Sequence, residues 1–430
     1  MKRFLALIFS LIFIASLSLP SFAIDDPPEV EKCQSAYLYS FANNRVLYEY
    51  NPEKRVYPTS TVKIMTGLLA LEHFAGALDT EVTVTKEMLS KVKGNKLSPS
   101  LTAGEVVTVE QMLYGCLVGD AAYVLAYATS GNVESFITDM NAKAALIGAY
   151  STKYTNPTGM HDDAMYTTAR DTAQIAIYAQ KNEDFARIVK TPKYVMEKTD
   201  LRQYRDIYNR NAMISKFYAA GYYDERAVGI NAGATSSGGY CTVQMMTDSK
   251  TNLSYLAVVM GAEENEAEKK IYSYENAKAL LDWAFASFTY TEVLSTDKVV
   301  CEIPVSLSST VDYVTLQPKE SLTVYLPSDI DVKNDITVHY TTLYETLAAP
   351  VKSGDIAGQV TVMYNDEILG TVDLITTADI SRSEFLYMLS QIEEFTKSKG
   401  FIAFAVSAVV LSVGYVLIQA FRRGRAARRL

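Results

Sequence analysis

"RVYPTSTVKIMTGLLALEH", residues 55–73, places a serine three residues ahead of a lysine at the opening of a helical pattern. On a helix, positions i and i+3 share a face, so Ser60 and Lys63 can meet there. An unprotonated lysine amine can take the serine proton, as nucleophilic catalysis requires, and the positive end of the helix dipole favours an alkoxide. Pro58 just upstream, with Ile64, Leu68, Leu69 and Leu71 as apolar faces, predicts a buried helix from about Ser60. Ser-x-x-Lys recurs at Ser90–Lys93, in the polar run SKVKGNK, and at Ser295–Lys298, in a polar connection; both read as solvated surface. Spacing alone leaves two readings of Ser60–Lys63: a nucleophile with its base, or a capping serine with a surface lysine.

Residues 35–50, SAYLYSFANNRVLYEY, alternate apolar and polar positions around Asn43-Asn44, a hairpin signal. Helical patterns dominate from about 108 to 190, and strand-like runs return near 192–260, including GYCTVQMMTD and LSYLAVVMG. The helix YENAKALLDWAFASF closes this unit near residue 288. That order predicts a sheet with helices on one or both faces. From about 291 to 380 short β-rich segments are separated by turn residues, which predicts a small β-sandwich or barrel-like domain without a helix. Residues 381–400 read as a polar, partly helical stem.

At the start, Lys2 and Arg3 precede an apolar run, and Ser21-Phe22-Ala23 supplies a small–x–small cleavage pattern, so residues 1–23 are expected to be a signal peptide. Residues 401–421 carry no charge and are long enough to span a bilayer as a helix. The five arginines of RRGRAARRL, 422–430, are expected to hold that tail in the cytoplasm. The region between holds all 49 acidic residues but only 33 of the 40 basic ones, an acidic balance that argues against nucleic acid as a partner. Cys33, Cys116, Cys241 and Cys301 match no zinc spacing and read as buried thiols; a Cys33–Cys301 disulfide has no support in the sequence. No metal or cofactor is expected. The three histidines are scattered, and only His161 lies in a loop that can face a site; an ordinary exposed histidine is the simpler reading.

PTSTVKIMTGLLALEH resembles the active-site helix of the low-molecular-mass penicillin-binding proteins, the serine D-alanyl-D-alanine carboxypeptidases of peptidase family S11. The resemblance runs in order through MLYGCLV–DAAYVLA, FITDMNAKAALIG, TNPTGMHDDAMYTTARDTAQIA, IYNRNAMI, VGINAGATSSGGYC and APVKSGDIAGQV, over roughly residues 30–380. It implies an α/β (α+β) transpeptidase domain of the penicillin-binding-protein/β-lactamase kind at 24–290. An all-β domain at 291–380, a stem at 381–400, a transmembrane helix at 401–421 and a basic tail at 422–430 follow. It also implies that Ser60, with Lys63 as base, is acylated by the penultimate D-alanine of a peptidoglycan stem peptide, and that β-lactams are covalent ligands. The ectodomain would lie outside the cytoplasm, tethered by its C-terminal helix.

Two further motifs of that family depart here. Where Ser-x-Asn should precede Asp120-Ala121-Ala122, the chain reads Leu117-Val118-Gly119; where Lys-Thr-Gly should stand, it reads Asn231-Ala232-Gly233. Ser130-Gly131-Asn132 and Lys352-Ser353-Gly354 spell the missing motifs in the wrong places and read as decoys. Loss of a positioned proton donor typically costs about 10²–10⁴ in rate, and neutral hydrogen bonds from Asn231 hold a carboxylate less well than charged ones. An oxyanion hole made of the Ser60 and Ala234 backbone N–H groups does not depend on side chains. The substrate-binding residues implied are Asn231, Gly233 and Ala234, with Asp120, Thr235 and Ser236 as stand-ins for lost groups. An active carboxypeptidase and a degenerate homologue that binds stem peptides or a wall-synthesis partner both stay open. Nothing in the chain supplies the deacylating glutamate of a penicillin-hydrolysing enzyme.

Overall fold

The computed structural model describes residues 26–90, 100–118 and 121–427. The expected signal peptide and Asp120 lie outside these residues. Two compact units divide the chain: the residues up to Thr289 with Tyr325–Asp329, and Tyr290–Val324 with the residues from Ile330 onward.

The first unit is built on a five-stranded antiparallel sheet of β1 (Ser35–Ser40), β2 (Arg45–Tyr50), β3 (Ala227–Thr235), β4 (Gly239–Thr247) and β5 (Ser254–Ala262), in the order β2-β1-β5-β4-β3. The hairpin predicted at Asn43-Asn44 is present. Asn44 takes the left-handed conformation, φ 54°, and the Asn43 side chain accepts from the Arg45 N–H at 3.2 Å. β5 is apolar along its length because both of its faces are covered. Leu256, Val258 and Met260 join one core and Tyr255, Ala257 and Val259 the other, as the two-residue period of a strand requires.

The second of these cores is closed by the helix Tyr272–Ser287 through Ala277, Leu280, Leu281 and Ala284. The first holds a helical layer: α1 (Val62–His73), α2 (Val109–Leu117), α3 (Ala122–Ser130), α4 (Val133–Ile147) and α5 (Ala169–Ala179). Helices therefore cover both faces of the sheet. α1 is buried from Val62 to Leu68 on every side, which marks a central rather than a surface helix. It starts two residues later than the sequence suggests, because Thr59–Thr61 form a single 3₁₀ turn.

The second unit carries a six-stranded sheet, in the order Ile336–Thr342, Ile356–Tyr364, Glu367–Thr376, Tyr313–Pro318, Cys301–Ser306 and Leu347–Ala348. One short helix, Val332–Asp335, corrects the expectation of a helix-free segment. Asp331 makes it, accepting from the Lys333 N–H at 3.0 Å and from the Asn334 amide at 2.6 Å. After the sheet come the helix Glu384–Lys397 and then Lys399–Ala427, of which Lys399–Ala420 is long and apolar enough to cross a membrane, with mean hydropathy 2.5. All four cysteines are free thiols. Cys116 and Cys241 are buried as expected, whereas Cys33 and Cys301 are only half-buried.

Candidate active site

The turn that presents Ser60 is pinned from several sides. Thr61 donates its hydroxyl to the Pro58 carbonyl at 2.6 Å, and Thr66, one turn into α1, donates to the Pro157 carbonyl at 2.8 Å. Thr59, a β-branched residue, holds φ +50°, a conformation that costs on the order of 1–3 kcal/mol and persists only where the surroundings enforce it. Here they do. The loop Asn156–Met160 presses Gly159 against Thr59 so closely that a Cβ would lie 1.6 Å from the Thr59 carbonyl oxygen. Asn156 knits that loop, accepting from the Thr158 hydroxyl and the Gly159 N–H and donating to the Met160 carbonyl, each within 2.9 Å.

The sheet reaches the same turn through its edge strand. A Cβ built on Gly233 would sit 2.4 Å from Ser60 Oγ and 2.5 Å from Ser60 Cβ, and Thr59 donates its hydroxyl to the Gly233 carbonyl at 3.4 Å. Only glycine lets β3 pass this close. Because β3 ends the sheet, one of its backbone edges has, among the described residues, no strand beside it, and an extended peptide can add there.

Ser60, Gly233 and Ala234 share a cleft of about 320 Å³ with Arg210, Tyr218 and Thr242. Lys63 lies in the first turn of α1, with only 4% of its surface exposed. Asn231 does not line the cleft. It is buried, donates its amide to the Leu117 carbonyl at 3.3 Å and, among the described residues, leaves its own oxygen without a partner. It therefore ties β3 to the C-terminal end of α2. Thr235 accepts from the Gly238 N–H at 2.9 Å within the β3–β4 turn, and Ser236 is exposed.

Arg210 is the cleft residue that sequence reasoning passed over. Its signal was the Asn-Arg-Asn string of IYNRNAMI. Asn209 donates to the Val189 and Thr191 carbonyls, at 2.9 and 3.1 Å, and Asn211 donates to Gln244 Oε1 at 2.8 Å. These bonds fix the backbone on both sides of the arginine. The Tyr274 hydroxyl donates to the Arg210 carbonyl at 3.4 Å and accepts from the Ala212 N–H at 3.1 Å. Burial pushes Tyr274 up to about 12, so this donor keeps its proton at neutral pH.

Both decoys have structural duties. Ser130 donates to Asp139 Oδ2 at 2.9 Å, Gly131 ends α3 with φ 75°, and Asn132 caps α4 by accepting from the Ser135 N–H. Lys352 and Ser353 give their N–H groups to Asp355 and Asp379 in a turn of the second unit. His161 packs edge-on against Tyr57 and contacts exposed Asp163 at 3.1 Å. Ser90 ends an exposed helical turn. Among the described residues no group of three His, Cys, Asp or Glu can hold a metal.

The family model described as D-alanyl-D-alanine carboxypeptidase, Peptidase_S11, matches residues 23–264. The chain belongs to that family. A model of the penicillin-binding protein 5 C-terminal domain matches residues 288–382. The chain is 27% identical over 416 residues to D-alanyl-D-alanine carboxypeptidase DacF of Bacillus subtilis, covering 93% of this chain and 100% of that one. It is 33% identical over 221 residues to a D-alanyl-D-alanine carboxypeptidase of Streptomyces sp. strain K15, covering 48% and 74% of the two chains. Its fold matches penicillin-binding protein 5 of Haemophilus influenzae with TM-score 0.56 at 24% identity, over 83% of this chain and 99% of that one. The Streptomyces K15 DD-transpeptidase matches with TM-score 0.52 at 26% identity, over 60% and 99%. The chain is thus an enzyme of the D-alanyl-D-alanine carboxypeptidase class, and none of these similarities favours the non-catalytic alternative.

Proposed function

We propose that this chain trims peptidoglycan stem peptides through an acyl-enzyme on Ser60. Lys63 takes the Ser60 proton, and Ser60 Oγ attacks the carbonyl carbon of the penultimate D-alanine. The Ser60 and Ala234 backbone N–H groups receive the oxyanion. The peptide C–N bond breaks, the protonated Lys63 returns its proton to the leaving nitrogen, and terminal D-alanine departs. Water then hydrolyses the ester, restoring Ser60 and releasing the shortened peptide. β-Lactams acylate the same oxygen, the opened ring remaining attached.

The observation that carries this reading is the approach of edge strand β3 to Ser60 at Gly233, which puts an open strand edge beside a serine on a constrained turn. Arg210 takes the role that a Lys-Thr-Gly lysine would fill: a cation in the cleft for the substrate's terminal carboxylate. Residues 24–290 are the catalytic domain and 291–380 the β-domain. Residues 1–23 are a signal peptide, and 401–421 span the cell membrane with the catalytic domain outside and the arginine-rich 422–430 in the cytoplasm.

The test is the intact mass of the detergent-solubilised chain after incubation with benzylpenicillin, beside Ser60→Ala, followed by an assay of D-alanine release from a pentapeptide. An adduct that vanishes in the variant, with D-alanine released by the parent, is the expected result. A folded protein that forms no adduct and releases no D-alanine refutes the mechanism.

A further inference from the structure

The strand Ile336–Thr342 ends the sheet of the second unit, and among the described residues no strand lies along its outer edge. Its sequence, ITVHYTT, alternates apolar and polar residues as a strand with one covered face does. Yet every residue from Thr337 to Thr342 is exposed, on both faces. Val338 and Tyr340 stand directly opposite Val362 and Val360, which are fully buried in the sheet's inner face, and opposite residues of an antiparallel pair share a face. The inner face therefore runs one strand past its cover, leaving Val338 36% and Tyr340 52% exposed. Natural sheets blunt such edges with charge, proline, a bulge or brevity. The other edge of this sheet does so: Leu347–Ala348 is only two residues long, and Pro350 follows. Ile336–Thr342 has none of these devices. It pairs with Ile356–Tyr364 over its whole length without a bulge, and neither charge nor proline occurs from Ile336 to Tyr344.

We infer that this edge pairs antiparallel with the same strand of a second copy of the chain, joining two six-stranded sheets into one. Antiparallel strands of identical copies are related by a two-fold axis perpendicular to the sheet, which keeps each face on its own side. Centring that axis on His339 pairs the whole strand, and any other centre leaves residues out. Val338 then meets the partner's Tyr340 on the inner face, and Thr337 meets the partner's Thr341 on the outer one. Aromatic–β-branched and Thr–Thr pairs of this kind stabilise a sheet. The charges at the two ends agree with this pairing. Asp331 and Asp335 accept N–H groups of the turn before the strand, at 3.0 and 2.9 Å, while Lys333 in that turn and Glu345 just past the strand are exposed. The antiparallel order brings Lys333 of each copy towards the partner's Glu345.

The test is cysteine cross-linking of the full detergent-solubilised chain under mild oxidation, with the parent and its four free thiols as background. His339→Cys places two cysteines across the axis with Cα atoms about 4.5–5.5 Å apart, inside the range that a disulfide spans. Thr337→Cys leaves the two cysteines four residues out of register, roughly 13 Å apart, and adding Thr341→Cys supplies each with an opposite. The expected result is a disulfide-linked dimer from His339→Cys and from Thr337→Cys with Thr341→Cys, and none above background from Thr337→Cys alone. Sedimentation gives the second readout. Val338→Lys with Tyr340→Lys sets ammonium groups directly opposite one another on the inner face, which is destabilising. That variant should sediment as a monomer where the parent is a dimer, and because both positions are exposed its circular dichroism should match the parent's. A parent that is itself a monomer overturns the inference, as does a dimer that survives the two lysines. Thr337→Cys linking as readily as His339→Cys overturns it as well.

Discussion

Gly233→Ala separates steric access to Ser60 from the stability of the fold. Gly233 lies outside the left-handed region, so its backbone accepts a side chain and the effect is one of contact alone. The new methyl would sit 2.5 Å from Ser60 Cβ, against 3.4 Å or more for an ordinary contact. Rotation about χ1 takes Oγ out of the way but leaves Cβ where it is. The strand and the Ser60 turn must therefore part by about 1 Å. The turn resists, held by Gly159 behind it and by the Thr61 and Thr66 hydroxyls. Overpacking of this kind costs about 1–3 kcal/mol, whereas a shift of about 1 Å at reacting atoms costs about 10²-fold in rate.

The expected result is a fall of about 100-fold in the second-order rate of acylation by benzylpenicillin, followed by intact mass. Circular dichroism should show the fold intact and a melting point only a few degrees lower. Gly221→Ala is the control, since a Cβ there meets nothing within 4 Å; it should leave the rate unchanged. If Gly233→Ala acylates as fast as the parent while Ser60→Ala does not acylate, the strand is not beside the reacting group and the argument fails.

Three other perturbations address the rest of the site and its support. Arg210→Ala should raise KM for a peptide with a free C-terminal carboxylate by about 10- to 100-fold, as loss of a charged hydrogen bond implies. A peptide ending in D-alaninamide should not sense the change, and equal losses for both peptides would refute the carboxylate role. Glu105, fully buried, receives the Arg205 guanidinium, the Thr199 hydroxyl at 3.0 Å and the Thr102 N–H at 3.0 Å. Glu105→Gln takes the buried carboxylate out of its pair with the half-buried Arg205, a loss of about 3–5 kcal/mol, and should lower the melting point by at least about 6 °C; no shift would mean the pair is neutral to stability. Asp224 is held well below the usual carboxylate range, first by its hydrogen bond to Arg226 and also by Lys278. A depressed carboxylate gives stability that is present above its unfolded pKa, about 3.9, and lost as pH falls through the lower folded value. The denaturation midpoint should therefore drop between pH 5 and pH 2.5 more steeply in the parent than in Asp224→Asn, and parallel slopes would refute the assignment.

The sheet and helical layer were legible because their signals are local. The Asn43-Asn44 turn, the alternation of β1, the unbroken apolar run of β5 and the periodicity of α1 each point to one element. The site was legible only in part. Ser60 and Lys63 stand three residues apart, so one helix turn relates them. Arg210 and Gly233 stand 150 and 173 residues from Ser60 in the chain, and no spacing in the sequence encodes that approach. Asn231 was assigned to substrate because the family resemblance aligned it there. Its short amide meets the Leu117 carbonyl, 114 residues distant, a contact no spacing reveals because it depends on how closely α2 and β3 pack. The strained Thr59 was equally hidden, since its conformation is imposed by Gly159 and not by its own neighbours in sequence.

The groups that the chain keeps and those it lacks act at different moments of the reaction, and this difference can be measured. In the proposed mechanism Ser60, Lys63 and the backbone N–H groups serve the attack on a carbonyl. The missing Ser-x-Asn serine would have relayed the Lys63 proton to a leaving amine, and the Leu117–Val118 segment in its place supplies no hydroxyl, so Lys63 must return that proton without a relay. An amine cannot leave without a proton, whereas a thiolate, with a pKa near 8.5, can. A D-alanyl thiolester of the same peptide should therefore acylate Ser60 at least about 10² times faster than the D-Ala-D-Ala amide, the lower end of what a positioned proton donor contributes. Single-turnover mass spectrometry on both substrates measures the two acylation rates directly. If the amide acylates as fast as the thiolester, Lys63 delivers its proton to the leaving nitrogen without a relay, and the argument from the lost serine fails.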